Sequence, residues 1–200
     1  NFYKKKININ YHKNYENIGV AKNILKSVEI SNSEFCWVVG DDDMLLNYSI
    51  KEVLNLINNY TNADYFYINS FHFNSELLKN YKYPINTEDL PKNLKKFSDF
   101  PNNFYGKFID FINPKISFDF LGGLYLSVFR KYNWDKNLGK INYKNMDNKS
   151  LFSNLDNTYP HIKIFAYAFC CDSTVIRAIE LVIGATSIIP STHSESLIVC

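Results

Sequence analysis

The sequence has few cysteines and little clustered basic charge, and both shortages exclude classes of protein. Its four cysteines (Cys36, Cys170, Cys171 and Cys200) match no zinc-ligand spacing, and the adjacent pair suits a disulfide framework poorly. We therefore expect a reduced, cytoplasmic chain. The formal net charge is only +2, and no basic stripe follows Lys4-Lys5-Lys6, so nucleic acid is not expected as the main partner.

The sequence also offers no good membrane span. The apolar stretch from Ile162 to Ile189 contains Asp172, Arg177 and Glu180, and these charges make it a poor candidate. No signal peptide is visible, and the chain does not begin with Met. We expect a cytoplasmic location, with peripheral association at the inner face of the cytoplasmic membrane left open.

Apolar and aromatic residues are abundant, which indicates a folded domain. The 200 residues are 46% hydrophobic and include 15 Tyr and 16 Phe, enough for one domain with its own core. The composition changes near the end, because residues 172–200 contain no Asn, Lys, Phe, Tyr or Trp. We predict a main domain over residues 1–171 and an unassigned segment over residues 172–200.

Hydrophobic periodicity predicts an α/β fold. Helical spacing of apolar residues predicts a helix from about Gly19 to Ile30, and the continuous apolar run Phe35–Val39 is typical of a buried strand in a parallel sheet. Ser49 is predicted to cap the next helix, and residues 64–69 form a second strand. The other predictions are a short strand over 7–11, a polar excursion over 75–103, a short aromatic helix over 104–112, a loop over 118–130 that leads into a strand or helix, and a partly helical segment over 151–169.

The stretch FCWVVGDDDML, residues 35–45, places three carboxylates directly after the predicted buried strand. Open α/β sheets bind ligands at the carboxyl ends of their strands. Mg²⁺ or Mn²⁺ accepts one or two carboxylates and fills its shell with phosphate oxygens and water. The Asp-x-Asp spacing predicts that Asp41 and Asp43 share one side of an extended turn while Asp42 points away.

The acidic triplet is also compatible with roles outside metal binding. A solvated turn is the plainest one, because Asp is common in turns. An EF-hand is excluded because the later Gly and Glu are missing, and an isoprenoid-type acidic box would need a further Asp where Met44 and Leu45 stand. A phosphatase-type nucleophile at Asp41 would need a distant Lys and a second acidic loop, neither of which is identifiable.

Three motifs together resemble the GT-A-fold glycosyltransferases of family two. They are Asn17-x-Gly19-x-x-x-Asn23, the run Trp37-x-x-Gly40-Asp41-Asp42-Asp43, and Leu155-Asp156-Asn157-Thr158-Tyr159-Pro160-His161. The second and third motifs are most similar to the bacterial abequosyltransferase-like branch, which builds surface polysaccharide such as the O-antigen of lipopolysaccharide. The resemblance covers residues 7–169.

The resemblance implies a GT-A-like, Rossmann-related mixed sheet flanked by helices. It implies a nucleotide-diphospho-sugar donor, a saccharide or lipid-linked acceptor, and Mg²⁺ or Mn²⁺ as cofactor. The residues implied in donor binding are Asn17, Gly19, Asp41 and Asp42, and those implied in metal binding are Asp43 and Asp41.

The late motif implies the remaining site residues. Inverting members of the family use a carboxylate as general base, and Asp156 stands where the family carries it. A helix cap or Asx turn is the structural alternative for Asp156. His161 is implied as a group supporting the metal side, although a structural role is favoured for a lone His between Pro and Ile. Gly122-Gly123 and Trp134 are candidates for acceptor contact, with a plain turn and core packing as the favoured interpretations.

One part of the family pattern is missing. The family's first strand, helix and second strand bind the nucleotide base, and residues 7–9 correspond to the third strand. The sequence therefore predicts a fold that lacks its first βαβ portion, and a chain that binds donor weakly or not at all on its own. A non-catalytic remnant or accessory domain is the main alternative function, and a metal-dependent phosphoryl hydrolase is the other.

Overall fold

The computed structural model describes residues 10–98, 104–112, 122–147, 152–170, 174–186 and 196–199. The helices are α1 (Val20–Glu29), α2 (Ser49–Asn59), α3 (Phe108–Phe111), α4 (Lys131–Asn137), α5 (Leu155–Thr158) and α6 (Pro160–Phe169). The strands are β1 (Phe35–Gly40), β2 (Asp43–Leu45), β3 (Tyr65–Asn74), β4 (Phe104–Lys107), β5 (Ser127–Arg130), β6 (Thr174–Thr186) and β7 (Ser196–Val199). Within these ranges, no helix combines the length and apolar content needed to cross a membrane.

The strands form one mixed sheet, which confirms the α/β class. Its order is β2-β6-β3-β5-β1-β7, and β4 pairs with β6 beside this path. Among the described strands only β3 and β6 run parallel, and all other pairs are antiparallel. The expectation of parallel neighbours for β1 is therefore wrong, since β1 lies antiparallel to both β5 and β7.

Strand β1 is apolar throughout because both of its faces are covered. Cys36 and Val38 face one core cluster, and Trp37 and Val39 face the other, as the twofold alternation of a strand requires. A strand buried on both sides needs apolar residues at every position, whatever the direction of its neighbours. The sequence pattern therefore reports burial correctly and strand direction incorrectly.

The helices are divided between the two faces of the sheet. The larger core cluster joins α1, α3, α4 and α6 to β1, β3 and β5, with Tyr65, Phe129 and Phe165 at its centre. The smaller cluster packs α2 against the other face through Val53, Leu56 and Ile57. This arrangement leaves the ends of the strands, rather than their faces, available for a site.

Several predicted elements differ in detail. Residues 104–112 form strand β4 before helix α3, so the predicted single helix covers only its second half. Ser49 is the first helical residue of α2 rather than its cap, which is Tyr48. The predicted partly helical segment over 151–169 contains two helices, and Pro160 starts the second one, α6, because its missing N–H would be unsatisfied at that position in any case. In the predicted first strand, residues 7–9 lie outside the described residues, and Asn10 and Tyr11 are not in a strand.

Strands β6 and β7 come from the region of altered composition. Strand β6 pairs with β3, β2 and β4, and β7 pairs with β1. The predicted boundary at residue 171 stays a prediction about domains, but described strands from both sides of it share one sheet.

The link between β1 and β2 shows that the sheet is strongly bent. Only Asp41 and Asp42 separate these strands along the chain, although three other strands lie between them in the sheet. Four spacings in a flat sheet would put β1 and β2 about 19 Å apart, whereas three Cα steps reach at most about 11 Å. The register shift between Ile68 and Ser70 of β3 is a place where such a bend can occur.

Candidate functional site

The candidate site is the acidic turn, residues 40–43, at the carboxyl end of β1. Asp41 and Asp42 form the turn and are exposed, whereas Asp43 is half-buried and begins β2. The backbone N–H of Gly40 donates a hydrogen bond to Asp43 Oδ2 at 2.8 Å. This bond closes the turn and fixes the Asp43 carboxylate over the end of the strand.

Gly40 allows two carboxylates to approach the backbone closely. A Cβ atom on Gly40 would lie 2.5 Å from Asp42 Oδ1 and 3.1 Å from Asp43 Oδ2. The side chains of Asp42 and Asp43 therefore both fold over Gly40. This differs from the predicted alternation, which turned Asp42 away from Asp43, because residues in a tight turn do not alternate as they do in an extended strand.

The carboxyl group of Asp43 has an unusual proton affinity. Its pKa is raised from 3.8 to about 7, mainly by burial, which outweighs the lowering effect of the Gly40 N–H, with smaller upward contributions from the charges of Asp42 and Asp41. At neutral pH, Asp43 without a cation is therefore about half protonated. A divalent cation at this position would compete with that proton, because metal ligands bind in their deprotonated form.

The polar excursion packs beside the acidic turn. Asn47, four residues after Asp43, donates to Asn86 Oδ1 at 3.1 Å and to Glu88 Oε1 at 3.3 Å, and it accepts a hydrogen bond from Thr87 at 3.2 Å. Beneath these contacts lies a third apolar cluster, which comprises Phe73, Leu90, Met44, Leu46, Phe71, Leu78, Tyr81, Ile85 and Leu94. The excursion is therefore anchored next to β2, close to the candidate site.

The motif Asn17-x-Gly19-x-x-x-Asn23 forms the start of α1. The Gly19 N–H donates to Asn17 Oδ1 at 2.9 Å in an Asx turn, and Gly19 has a φ of 80°, which favours glycine. Asn23 is buried and accepts a hydrogen bond from the Asn14 side chain at 3.0 Å. These contacts account for the motif as a helix start. The predicted role of Asn17 and Gly19 in donor binding stays a prediction.

Asp156 lies in a buried ion pair. Its side chain is 6% exposed, Lys163 donates to Oδ1 at 2.9 Å, and Asn145 donates to Oδ2 at 2.9 Å. Burial alone would raise the Asp156 pKa, but the bonds from Lys163 and Asn145, the Lys163 charge and the Asn142 backbone together lower it. A carboxylate held in this way is a weak base, so its surroundings disfavour the general-base role predicted for it.

The structural alternative for Asp156, a helix cap, is wrong, whereas its predicted general-base role stays a prediction. The cap of α5 is Asn154, whose Oδ1 accepts the Asn157 N–H at 3.0 Å, and Asp156 lies inside the helix. Asp156 instead ties α5 to α6 through Lys163 and to the 3-10 turn at residues 143–147 through Asn145.

The other predicted candidates lie in core packing or in a turn, and their proposed functional roles stay predictions. His161 is 2% exposed and makes edge-to-face ring contacts with Tyr159 and Phe165, each at a centroid distance of 5.9 Å. Trp134 is 1% exposed and stacks on Phe129 at 5.0 Å. Gly123 accepts the Leu126 N–H at 3.0 Å in a tight turn.

Within the described ranges, the acidic turn and Asp156 do not form one cluster. No group of three or more His, Cys, Asp or Glu side chains in those ranges is arranged to hold a metal ion. Mg²⁺ nevertheless needs only one or two protein carboxylates when phosphate oxygens complete its shell. Asp43 with a second carboxylate of the turn fits that smaller requirement.

The sequence did not predict two polar residues near the candidate positions: Asn47, which follows the acidic turn, and Lys163, which pairs with Asp156. The contacts of Asn47 connect segments about 40 residues apart in sequence, and no local pattern announces them. Lys163 pairs with Asp156 across the break at Tyr159 between α5 and α6, so helical spacing does not predict this pair either.

Comparison with known proteins returns no match. No protein-family model matches the sequence, and no curated protein or solved structure matches it. The glycosyltransferase assignment accordingly stays a proposal that rests on the chemistry of the acidic turn.

Proposed function

We propose that this chain belongs to a metal-dependent glycosyltransferase with a GT-A-like fold. It would move a sugar from a nucleotide-diphospho-sugar to a saccharide or lipid-linked acceptor at the cytoplasmic side, in the synthesis of bacterial surface polysaccharide. The observation that carries the proposal is the acidic turn at the carboxyl end of the buried strand β1, where Gly40 lets two carboxylates fold close to the backbone. Strand β1 runs in the same direction as β3 and β6, because β1 and β3 are both antiparallel to β5 and β6 is parallel to β3. The carboxyl ends of strands that share one direction are the usual ligand sites of α/β sheets.

Each residue of the turn has a distinct role in the proposal. Asp43, fixed by the Gly40 N–H, would hold Mg²⁺ or Mn²⁺ together with Asp41 or Asp42. The bound ion would neutralise the diphosphate leaving group. Whichever of Asp41 and Asp42 does not hold the ion would be free to contact the ribose or sugar of the donor. Asp156 serves here as a positioning residue, because its carboxylate is already bonded to Lys163 and Asn145.

Manganese titration tests the proposal at its first step. We expect Mn²⁺ to bind the wild-type chain and to release about half a proton at neutral pH, because Asp43 has a pKa of about 7. Calorimetry in buffers of different ionisation enthalpy measures that release. Asp43→Asn should weaken Mn²⁺ binding about tenfold or more, and the matched variant Asp89→Asn, an exposed aspartate outside the turn, should bind like wild type.

The binding of nucleoside diphosphates distinguishes the proposed glycosyltransferase from the two alternative functions. With Mn²⁺ bound, UDP, GDP or CDP should increase the apparent Mn²⁺ affinity, since the diphosphate completes the ion's coordination shell. Normal folding with no Mn²⁺ effect would favour a non-catalytic remnant or accessory domain. Turnover of p-nitrophenyl phosphate, lost in Asp41→Asn, would favour a phosphoryl hydrolase instead.

A further inference from the structure

A groove between α1 and α4 forms a second candidate binding site, on the sheet face covered by the larger core cluster. Its volume is about 430 Å³, within the usual range of about 300–1,000 Å³ for small-molecule sites. Each helix contributes residues at positions i, i+3, i+4 and i+7, which is the spacing of a single helix face. These residues are Lys22, Leu25, Lys26 and Glu29 from α1, and Lys131, Trp134, Asp135 and Leu138 from α4 and the turn after it.

The floor of the groove is apolar. Leu25 is 5% exposed and Trp134 is 1% exposed, and the half-buried Leu138 lies on the α4 side. Ile18 and Tyr143 complete the lining. The buried indole N–H of Trp134 has no hydrogen-bond acceptor among the described residues.

The charged side chains around the groove differ in how they are paired. Lys131 and Asp135 pair with each other at 2.6 Å, so they contribute little net charge. Lys26 is half-buried, and its ammonium group forms no ion pair with any described residue. The carboxylate of Glu29 lies one helical turn away and limits the positive potential at that end.

We propose that this groove binds an alkyl phosphate, with the alkyl chain on Leu25, Trp134 and Leu138 and the phosphate at Lys26. The apolar floor selects for the alkyl chain of the ligand, and the unpaired ammonium group of Lys26 selects for an anionic head group. Neither a bare phosphate nor a neutral amphiphile would use both halves of the groove. The site is separate from the acidic turn and does not depend on the glycosyltransferase proposal.

The first test compares three ligands by calorimetry, all below their aggregation concentrations. Octyl phosphate should bind at least about tenfold more tightly than inorganic phosphate, because only octyl phosphate buries apolar surface in the groove. Octyl glucoside, which has the same chain and no charge, should also bind more weakly. Equal binding of inorganic phosphate or of octyl glucoside would overturn the proposal, as would the failure of octyl phosphate to bind.

Matched lysine variants then test the head-group contact. Lys26→Gln should weaken octyl phosphate about fivefold, the size of a partly exposed ion pair, and should leave octyl glucoside unchanged. Lys51→Gln makes the same chemical change at an exposed lysine of α2, on the other face of the sheet, and should have no effect on octyl phosphate binding. Asp43→Asn should also bind octyl phosphate like wild type, which separates this site from the acidic turn. Unchanged affinity in Lys26→Gln would refute the assignment.

Tryptophan fluorescence locates the ligand. The chain has two tryptophans, and Trp37 is buried in the smaller core cluster, away from the groove. Octyl phosphate should change the emission of wild type and have no effect on the emission of Trp134→Phe. An emission change that persists in Trp134→Phe would place the ligand elsewhere.

Phosphatidylcholine vesicles containing phosphatidic acid show whether the alkyl phosphate belongs to a membrane lipid or to a soluble amphiphile. Sedimentation with these vesicles that depends on Lys26 indicates a membrane lipid, whereas binding of octyl phosphate alone indicates a soluble amphiphile.

Discussion

Replacing Asp43 with Asn should stabilise the fold at alkaline pH while removing the proposed metal ligand. The change keeps the size and shape of the side chain and keeps an oxygen that can accept the Gly40 N–H. It removes the half-buried charge beside Asp41 and Asp42. The expected effect on stability therefore comes from that charge alone.

The magnitude follows from the raised pKa of Asp43. Its displacement from 3.8 to about 7 corresponds to about 4 kcal/mol, and the partial exposure of the carboxylate reduces this to about 2 kcal/mol. Between these two pH values the folded state binds more protons than the unfolded chain. The wild-type free energy of unfolding therefore falls as the pH rises through that window, and the favourable contribution is lost above about pH 7.

Urea unfolding of both proteins at about pH 3, below both pKa values of Asp43, and at about pH 8 measures the effect. Asp43→Asn should exceed wild type by about 2 kcal/mol at the higher pH and should nearly equal it at the lower pH. Other titrating groups are common to both proteins and cancel in the comparison. Asp89→Asn, which removes an exposed carboxylate outside the turn, is the matched control. If Asp43→Asn were no more stable than wild type at about pH 8, the burial assigned to this carboxylate would be wrong.

Three further substitutions test other contacts. Arg130→Met removes the 3.1 Å ion pair with Asp64 and two bonds to backbone carbonyls, and urea unfolding should show a loss of about 2–3 kcal/mol. Lys163→Met leaves Asp156 as a buried charge without its cation and should destabilise by about 3 kcal/mol at neutral pH, whereas adding Asp156→Leu should recover much of that loss. Gly40→Ala should weaken Mn²⁺ binding about tenfold, because its Cβ would displace the carboxylates of the turn.

Each of these predictions has an opposing outcome. Unchanged stability in Arg130→Met would mean that solvent replaces its contacts fully. A double variant of Lys163 and Asp156 that is no more stable than Lys163→Met would show that the buried charge is not the source of the loss. Full Mn²⁺ affinity in Gly40→Ala would show that the close approach of the carboxylates to the backbone is not required.

The helices and strands that pack across both faces were predictable from sequence, because burial sets their periodicity. The run Phe35–Val39 and the helix near residues 19–30 illustrate this. Strand direction was not predictable, since a strand covered on both faces has the same composition in either orientation. The partner of β1 on one side is β7, more than 150 residues later, and no local signal in β1 specifies it.

The candidate site was predictable in part. Three carboxylates after a buried strand and a glycine mark the acidic turn, and the structure places these residues at the end of β1. Local geometry could not be predicted, because the turn brings Asp42 rather than Asp41 into contact with Gly40. The environment of Asp156 depends on Asn145 and Lys163, which lie on separate elements, and only tertiary packing brings them to one carboxylate.

The bent sheet has a consequence for the order of folding. Strand β2 carries Asp43, yet its partner β6 lies about 140 residues further along the chain, and the pairing therefore has a high contact order. Such distant contacts form late, because the intervening chain must first be closed into a loop. The acidic turn should acquire its final geometry only in the last stage of folding. Amide hydrogen exchange at β2 should then be faster than at Phe35 and Cys36 of β1, which pair with the nearer strand β5 and not with β7.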